Sequence, residues 1–305
     1  MTIAPSGEQF ELRHGGQHAV VTGVGATLRS YTVDGRPVLD GFGLDEMATA
    51  GSGQVLAPWP NRLADGRYSF EGRDGQAALD EPEKGNAVHG LVRWQPWTAE
   101  SCTDDSVGLT CTLHAQPAYS WSVRLRIGYR LDGSGLVVSS EATNVGDAPA
   151  PFGLGFHPYL TAGTPTVDTT RLRVPARRRL TTDDRGLPTG DEPVDGTPFD
   201  FTEPRPVGTT QLDTCFTDLV PGPDGRTTVE LAGPDRAVGL WMEGDYRYVM
   251  VFTGDTRAPD ARRRSVAVEP MTCPPNALRS GTDLIRLAPG ASWTGTWGIT
   301  PSSSQ

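Results

Sequence analysis

Two histidines and two carboxylates of this chain sit where an ionisable group is hard to place. His157 lies in GFHPYL, between aromatic residues and against Pro158, and His89 lies in GNAVHGLVRW among glycine and apolar residues. Glu269, in SVAVEPMTCPPNAL, ends an apolar run before a proline-stiffened turn. Asp213, in QLDTCF, sits between Leu212 and the apolar Cys215 and Phe216. A charge in such surroundings is unfavourable unless it has a partner or a task. Arg62 follows Asn61 and two prolines in LAPWPNRLADG, where the restricted backbone would hold a donor in place. Residue by residue, a satisfied core histidine, a structural carboxylate and a surface arginine are the alternatives. Taken together, these groups suit metal-free acid and base chemistry, or ligand binding through the same hydrogen-bonding atoms.

Other chemistries lack their patterns. No HxH or HExxH spacing presents two histidines to one ion, so no metal is expected. The serine-hydrolase GxSxG and the P-loop and GxGxxG nucleotide motifs are missing. His14, His18 and His114 read as surface or edge positions.

The elements that must position the candidates are strands. In WSVRLRIGYRL the residues Trp121, Val123, Leu125, Ile127, Tyr129 and Leu131 alternate with Ser122, Arg124, Arg126 and Arg130, the period of a half-buried strand. GLVVSSEATNV, across the turn-rich LDGSG, reads as its hairpin partner. Similar runs recur at HAVVTGVGATLRSYTVDG, RYSFEG, AVGLWME, YRYVMVFTG, SVAVEP, DLIRLAPG and SWTGTWGI. With 37 glycines and 26 prolines spread along the chain, no long amphipathic helix emerges. The expected architecture is all-β, a large antiparallel β-sandwich. The proline-rich segment 181–210 breaks the rhythm and reads as a long surface excursion of the kind that borders binding sites.

Composition narrows the partners. At 305 residues, with 27 basic and 37 acidic side chains and a net charge of −10, the chain is an unsuitable partner for nucleic acid or an anionic membrane. There is no transmembrane-length apolar run, and MTIAPSGEQFELRHGG has neither a basic nor an apolar signal region, so a cytoplasmic protein is expected. Cys102, Cys111, Cys215 and Cys273 show no CxxC spacing and read as reduced core residues.

Five segments in order, NR at 61–62, VHG at 88–90, GFHPYL at 155–160, LDTCF at 212–216 and VEPMTCPPNAL at 268–278, together resemble the aldose 1-epimerase family, the galactose mutarotases. With strand-like flanks on both sides, the resemblance covers nearly the whole chain. It implies one sandwich domain over residues 1–305, interconversion of the α and β anomers of a free hexose such as glucose or galactose, and no cofactor. Carried over motif by motif, Glu269 is the general base and His157 the general acid, while Asn61, Arg62, His89 and Asp213 hold the sugar. Two features depart from the family: YVMVFTG has Met250 in place of a glutamine, and PPNA has Asn276 in place of an aspartate. A hexose 6-phosphate, or binding without catalysis, are the alternatives. Arg177–Arg179 and Arg262–Arg264 are the basic runs that a phosphate would call on.

Opening a cyclic hemiacetal removes the O1 proton and protonates the ring oxygen, and closure reverses both transfers, so each group must work in either direction. An ordinary Glu titrates near ~4.3 and an ordinary His near ~6.5, so His157 needs a raised pKa, which a nearby carboxylate would supply. Glu269 and His157 are expected to face one open pocket from opposite sides of a space about one sugar ring wide. Phe156 and Tyr159 are read as core rather than as platforms for the sugar.

Overall fold

The structure, a computed structural model, describes residues 3–303. Alternation along the chain becomes two large antiparallel sheets. The nine-stranded sheet runs, in spatial order, Thr98–Cys102, Ser106–Leu113, Val123–Asp132, Gly135–Asn144, Ser292–Ser303, Arg236–Met242, Thr227–Ala232, Arg171–Arg173 and Arg205–Pro206. Its centre is the expected hairpin, paired without a break from Val123 opposite Asn144 to Asp132 opposite Gly135. Val123, Leu125, Ile127, Tyr129 and Leu131 are buried, while Arg124, Arg126 and Arg130 are exposed, as a period of two requires.

While Arg62 lies in a short separate ladder of Arg62–Ala64 with Asn86–Val88, the eight-stranded sheet carries Asp213 and Glu269 and brackets His157. Its order is Pro188–Pro193, Ala176–Thr182, Asp213–Leu219, Tyr248–Phe252, Val266–Met271, Gly155–Phe156 and Val55–Leu56, with Tyr159–Leu160 also paired to Val266–Met271. Every residue of Val266–Met271 is buried, so this strand is covered on both faces. The register determines what each face shows. Tyr159 lies opposite Ala267, Ala267 opposite Phe252, and Phe252 opposite Asp213; one step along, Glu269 lies opposite Met250 and Met250 opposite Cys215. Directly opposed residues point to the same side, so Tyr159, Phe252, Asp213 and Glu269 share one face. Val249, Val251, Val266 and Val268 turn the other way into the main core.

That core joins the two sheets. Phe156 of the smaller sheet packs on Trp297 of the larger one with ring centroids 5.0 Å apart, and on Tyr246 at 6.4 Å. A second cluster, Cys215, Tyr248, Met250 and Met271, lies on the site side of the smaller sheet. Met250 therefore extends an apolar patch beside Glu269. Asn276 has a backbone task instead: its Oδ1 accepts the Ala64 N–H, and its own N–H donates to the Arg62 carbonyl.

Two expectations change. Segment 181–210 is no structureless excursion, because Pro188–Pro193 adds an edge strand to Ala176–Thr182, with Arg178 and Arg179 paired to Asp191 and Glu192. Those pairs run along the edge strand and left no apolar signal in the sequence. Cys102 is exposed on an edge strand, whereas Cys111, Cys215 and Cys273 are buried, all four as free thiols. Among the described residues helix is limited to the α-helix Ala277–Ser280 and a 3-10 turn at Val167–Thr169, and no helix is long and apolar enough to cross a membrane.

Phe156→Ala should lower unfolding free energy by about 3–5 kcal/mol through the cavity left against Trp297 and Tyr246, as measured by urea denaturation.

Candidate active site

His157 enters the site through backbone geometry. Phe156 points into the core, so the next residue points to the opposite face. Hydrogen bonds hold the segment on both sides: His157 N–H donates to the Gln54 carbonyl, Gly53 N–H to the His157 carbonyl, and Val268 N–H to the Pro158 carbonyl. The last of these ties the histidine segment to the glutamate strand. His157 Nε2 then lies 3.2 Å from Glu269 Oε1, with the residues only 4 % and 2 % exposed. The expected geometry, two groups facing each other across a sugar ring, is therefore corrected to a pair in direct contact. The chemistry permits this, because O1 and the ring oxygen of a cyclic aldose are bonded to the same carbon.

Burial controls the protonation of this pair. It holds the His157 imidazole down at about 3, against a smaller upward effect from its own backbone and with Arg93 and Arg257 adding to the depression. Burial pushes the Glu269 carboxyl well above the usual range, with Asp213 reinforcing the shift and Arg62 opposing it. The expectation that a carboxylate neighbour raises His157 is overturned, because desolvation of the cation outweighs the neighbour. Both directions favour an uncharged pair sharing one proton. Among the described residues, His157 Nδ1 and Glu269 Oε2 are buried without hydrogen-bond partners.

Around the pair lies a cavity of about 530 Å³, within the range of small-molecule pockets. Its wall includes all six residues singled out from the sequence: Asn61, Arg62, His89, His157, Asp213 and Glu269. Depressions of 550 Å³ beside Tyr248 and Asn276 and of 660 Å³ beside Tyr68 and Gln76 have neither histidine nor glutamate in their walls.

Asn61 and His89 lock one another. His89 N–H donates to the Asn61 carbonyl, Asn61 N–H donates to His89 Nδ1 at 3.2 Å, and Asn61 Oδ1 accepts the Arg62 N–H. His89, at φ +64°, needs the left-handed region, and Gly90 beside it lies so near Ala57 that a Cβ would meet the Ala57 carbonyl oxygen at 2.1 Å. Burial, with His157, Arg93 and Arg62 nearby, keeps His89 uncharged. The same hydrogen bonds bear on metal binding. His89, His157 and Glu269 offer ligand atoms within 4.8 Å of one another, a spacing a metal ion could use. However, Nδ1 of a neutral His89 already accepts a hydrogen bond, so Nε2 carries the proton and neither nitrogen has a lone pair to give. The ring is built to donate.

Arg62 is no ordinary surface arginine. Its side chain is 12 % exposed, its Nε and Nη2 reach the two Glu81 oxygens at 3.0 and 3.2 Å, and Nη2 also reaches Asp213 Oδ2 at 3.2 Å. Burial alone would raise Glu81, but the bonds from Arg62 and Asn86 hold its carboxyl below the usual range. Asp213 was read as sitting among apolar residues, yet its side chain is 47 % exposed, because it begins the strand Asp213–Leu219 at the mouth of the cavity.

Glu81, Arg93 with Asp80, Lys84, Phe252 and Trp94 also line the cavity and were missed. Phe252 ends the strand Tyr248–Phe252, and the others belong to short loops where no periodicity singles them out. Trp94 ends the quoted GNAVHGLVRW stretch and is 49 % exposed, a large apolar surface left open at the wall of a polar pocket. Phe156 is core, as expected, and Tyr159 packs against the His157 ring. The excursion does border the site: Arg185 bonds the carbonyls of Lys84 and Gly85, and Gly186 lies against the Arg62 guanidinium.

Gly51 closes the cavity beside the pair. At φ +77° it is in the left-handed region, and a Cβ there would fall 2.6 Å from His157 Cδ2. Gly51→Ala should cost about 1–2 kcal/mol of stability from the backbone alone, read by denaturant unfolding, and should move the imidazole away from Glu269.

Known proteins give the arrangement its place. A model of the aldose 1-epimerase family matches residues 8–300. The uncharacterized protein YihR of Escherichia coli K12 is 33 % identical over 93 % of this chain and 90 % of its own length. The aldose 1-epimerase of the same organism is 24 % identical over 82 % of this chain and 78 % of its length. A GalM/aldose epimerase homologue from C. elegans superposes with a TM-score of 0.86 at 18 % identity, covering 98 % of this chain and 99 % of that one. That similarity shows the galactose-mutarotase type of sandwich. The cavity and its buried pair thus lie in a chain matched from end to end, and the protein belongs to the aldose 1-epimerase family.

Proposed function

We propose that the protein is an aldose 1-epimerase that interconverts the α and β anomers of a free hexose such as glucose or galactose, with Glu269 and His157 as its acid and base. The 3.2 Å contact between them, at the wall of an open cavity, carries this reading. The pair works while it holds one proton. Proton transfer along the contact gives a Glu269 carboxylate and a His157 imidazolium. Glu269 then takes the O1 proton as the C1–O1 double bond forms, and His157 gives its proton to the ring oxygen as the C1–O5 bond breaks. The proton count of the pair is unchanged, and Glu269 is left neutral beside a neutral His157. This neutral pair, the arrangement that burial favours, therefore stands on both sides of the ring opening. After rotation about C1–C2, both transfers reverse on the other face of the aldehyde.

The surrounding groups orient the ring. The His89 N–H donates to a sugar oxygen, Arg62 and Asp213 hold hydroxyls, and Asn61 fixes the positions of His89 and Arg62. The exposed Trp94 face suits an apolar sugar face.

A second reading, a hexose carrying an anionic group at C6, has Lys84 and Arg93 in its favour. Both line the cavity, and among the described residues Lys84 is held by a 3.5 Å contact to Glu81 alone and Arg93 Nε has no hydrogen-bond partner. The arginine runs at 177–179 and 262–264 do not serve it, since they lie outside the cavity wall and are largely engaged with acidic residues.

The test is the relaxation of optical rotation after dissolving α-D-glucose, α-D-galactose or glucose 6-phosphate in weakly catalytic buffer. The protein should speed relaxation, and Glu269→Gln and His157→Asn should each reduce kcat/KM by about a hundredfold or more. No acceleration on any of the three sugars would leave a carbohydrate-binding role. The pH profile gives a second prediction. Because His157 is lowered, the second proton that silences the pair is gained only well below the ordinary histidine value. Because Glu269 is raised, the single proton is lost only above the ordinary carboxylate value. Activity should therefore persist from mildly acidic pH through neutrality, and an acid limb at 6.5 would contradict the pairing.

A further inference from the structure

Behind His157 stands a column of side chains for which proton transfer has no direct use. The Tyr159 ring packs on the imidazole with centroids 5.0 Å apart and planes inclined by 33°. On Tyr159 sits the Arg257 guanidinium, its carbon 4.3 Å from the ring centre. Arg257 Nη1 donates to Asp40 Oδ2 at 2.9 Å and to Ser265 Oγ at 3.0 Å, and the Arg257 and Asp40 side chains are only 8 % and 10 % exposed. The Tyr159 hydroxyl donates to the Ala50 carbonyl, next to the glycine that abuts His157. A buried ion pair is weak evidence for stability, so a stack of this form invites another explanation.

We propose that Asp40, Arg257 and Tyr159 form a pillar that fixes the plane of the His157 ring and keeps a positive charge behind it, with Arg257 as a positioning residue for proton transfer. The inference rests on the mutarotase reading of the same cavity. Its physical basis is the flat guanidinium, which stacks on the Tyr159 ring while Nη1 donates to Asp40 and Ser265, a plane-on-plane contact that the compact, strongly hydrated ammonium of a lysine does not reproduce. The charged and titratable groups near His157 are Glu269 from the central strand, His89 from its turn, Tyr159 from its own segment, and the cations Arg93 and Arg257. Tyr159 stays neutral, since burial raises its hydroxyl pKa far above neutrality. Both cations oppose a second proton on the imidazole. Taking one away must make that proton easier to gain, so both limbs of the pH profile move to higher pH.

Arg257→Met and Arg257→Lys separate orientation from charge. Asp40 keeps Arg264 and Ser265 as partners, which favours folding of either variant. Arg257→Met should lower kcat/KM by about ten- to a hundredfold and move the limbs upward by about several tenths of a pH unit. Arg257→Lys should keep the limbs in place while recovering only part of the rate. A lower rate with unmoved limbs in Arg257→Met would make the column a packing feature and overturn the proposal. Long-range 1H–15N spectra of the histidine rings need no turnover: Arg257→Met, and Tyr159→Leu as a second variant that leaves the Asp40 pair intact, should displace the His157 signals and leave those of His14 and His114. Unmoved His157 signals would refute the pillar even in a protein that proved to have no mutarotase activity.

Discussion

A carboxyl and an imidazole sharing one proton away from water set the conditions that the rest of this site must meet. Either partner left alone would be a buried, unpaired ionisable group, an arrangement that destabilises a fold by several kcal/mol. Together they are compatible with burial, because the neutral form of each is the one favoured there. The contact must then be held closely, since a shift of about 1 Å would both uncouple the proton and leave two polar groups unsatisfied. A central strand buried on both faces supplies that rigidity for Glu269, and the Val268–Pro158 hydrogen bond gives His157 the same frame.

Outward from the pair, the polar groups change from buried and neutral to paired and charged. Arg62 stands between, with two carboxylates competing for it: Glu81, itself held by Asn86, and the half-exposed Asp213. Its charge also opposes the rise in the Glu269 pKa. One arginine thus serves as a sugar donor candidate, a structural clamp and an electrostatic counterweight. The Asn61–His89 lock does the equivalent for the neutral side of the cavity, because two backbone hydrogen bonds and a side-chain oxygen decide which nitrogen of His89 carries hydrogen.

How much of this was legible in the sequence depended on the range of the physics involved. Strand identity is local, so the Val123–Leu131 alternation and its hairpin could be read directly. The cavity residues stood out where chemistry sat in the wrong surroundings, as with His157 between aromatics and Glu269 at the end of an apolar strand. What could not be read was distance. Glu269 and His157 are 112 positions apart (269 − 157), and the pairing of Gly155 with Met271 and of Tyr159 with Ala267 makes them neighbours. The pKa direction failed for the same reason, since burial is a property of the assembled sheets. Asp213 shows the converse error: apolar neighbours in sequence do not bury a side chain that opens a strand at a cavity mouth.

The two halves of the site are held by different kinds of structure, and this bears on how such a chain diverges. The proton-transfer pair comes from ladder-paired segments whose register is enforced by a shared core, so a slip of one residue would turn Glu269 into the valine-lined interior. Several residues of the cavity wall come from the loops around Asp80–Lys84 and Arg93–Trp94, pinned at a few points by Arg185 and by ion pairs. Substitutions there alter contacts without disturbing a ladder. Alternation tolerates many exchanges of one apolar residue for another without loss of the sheets, whereas the loops carry no such register constraint.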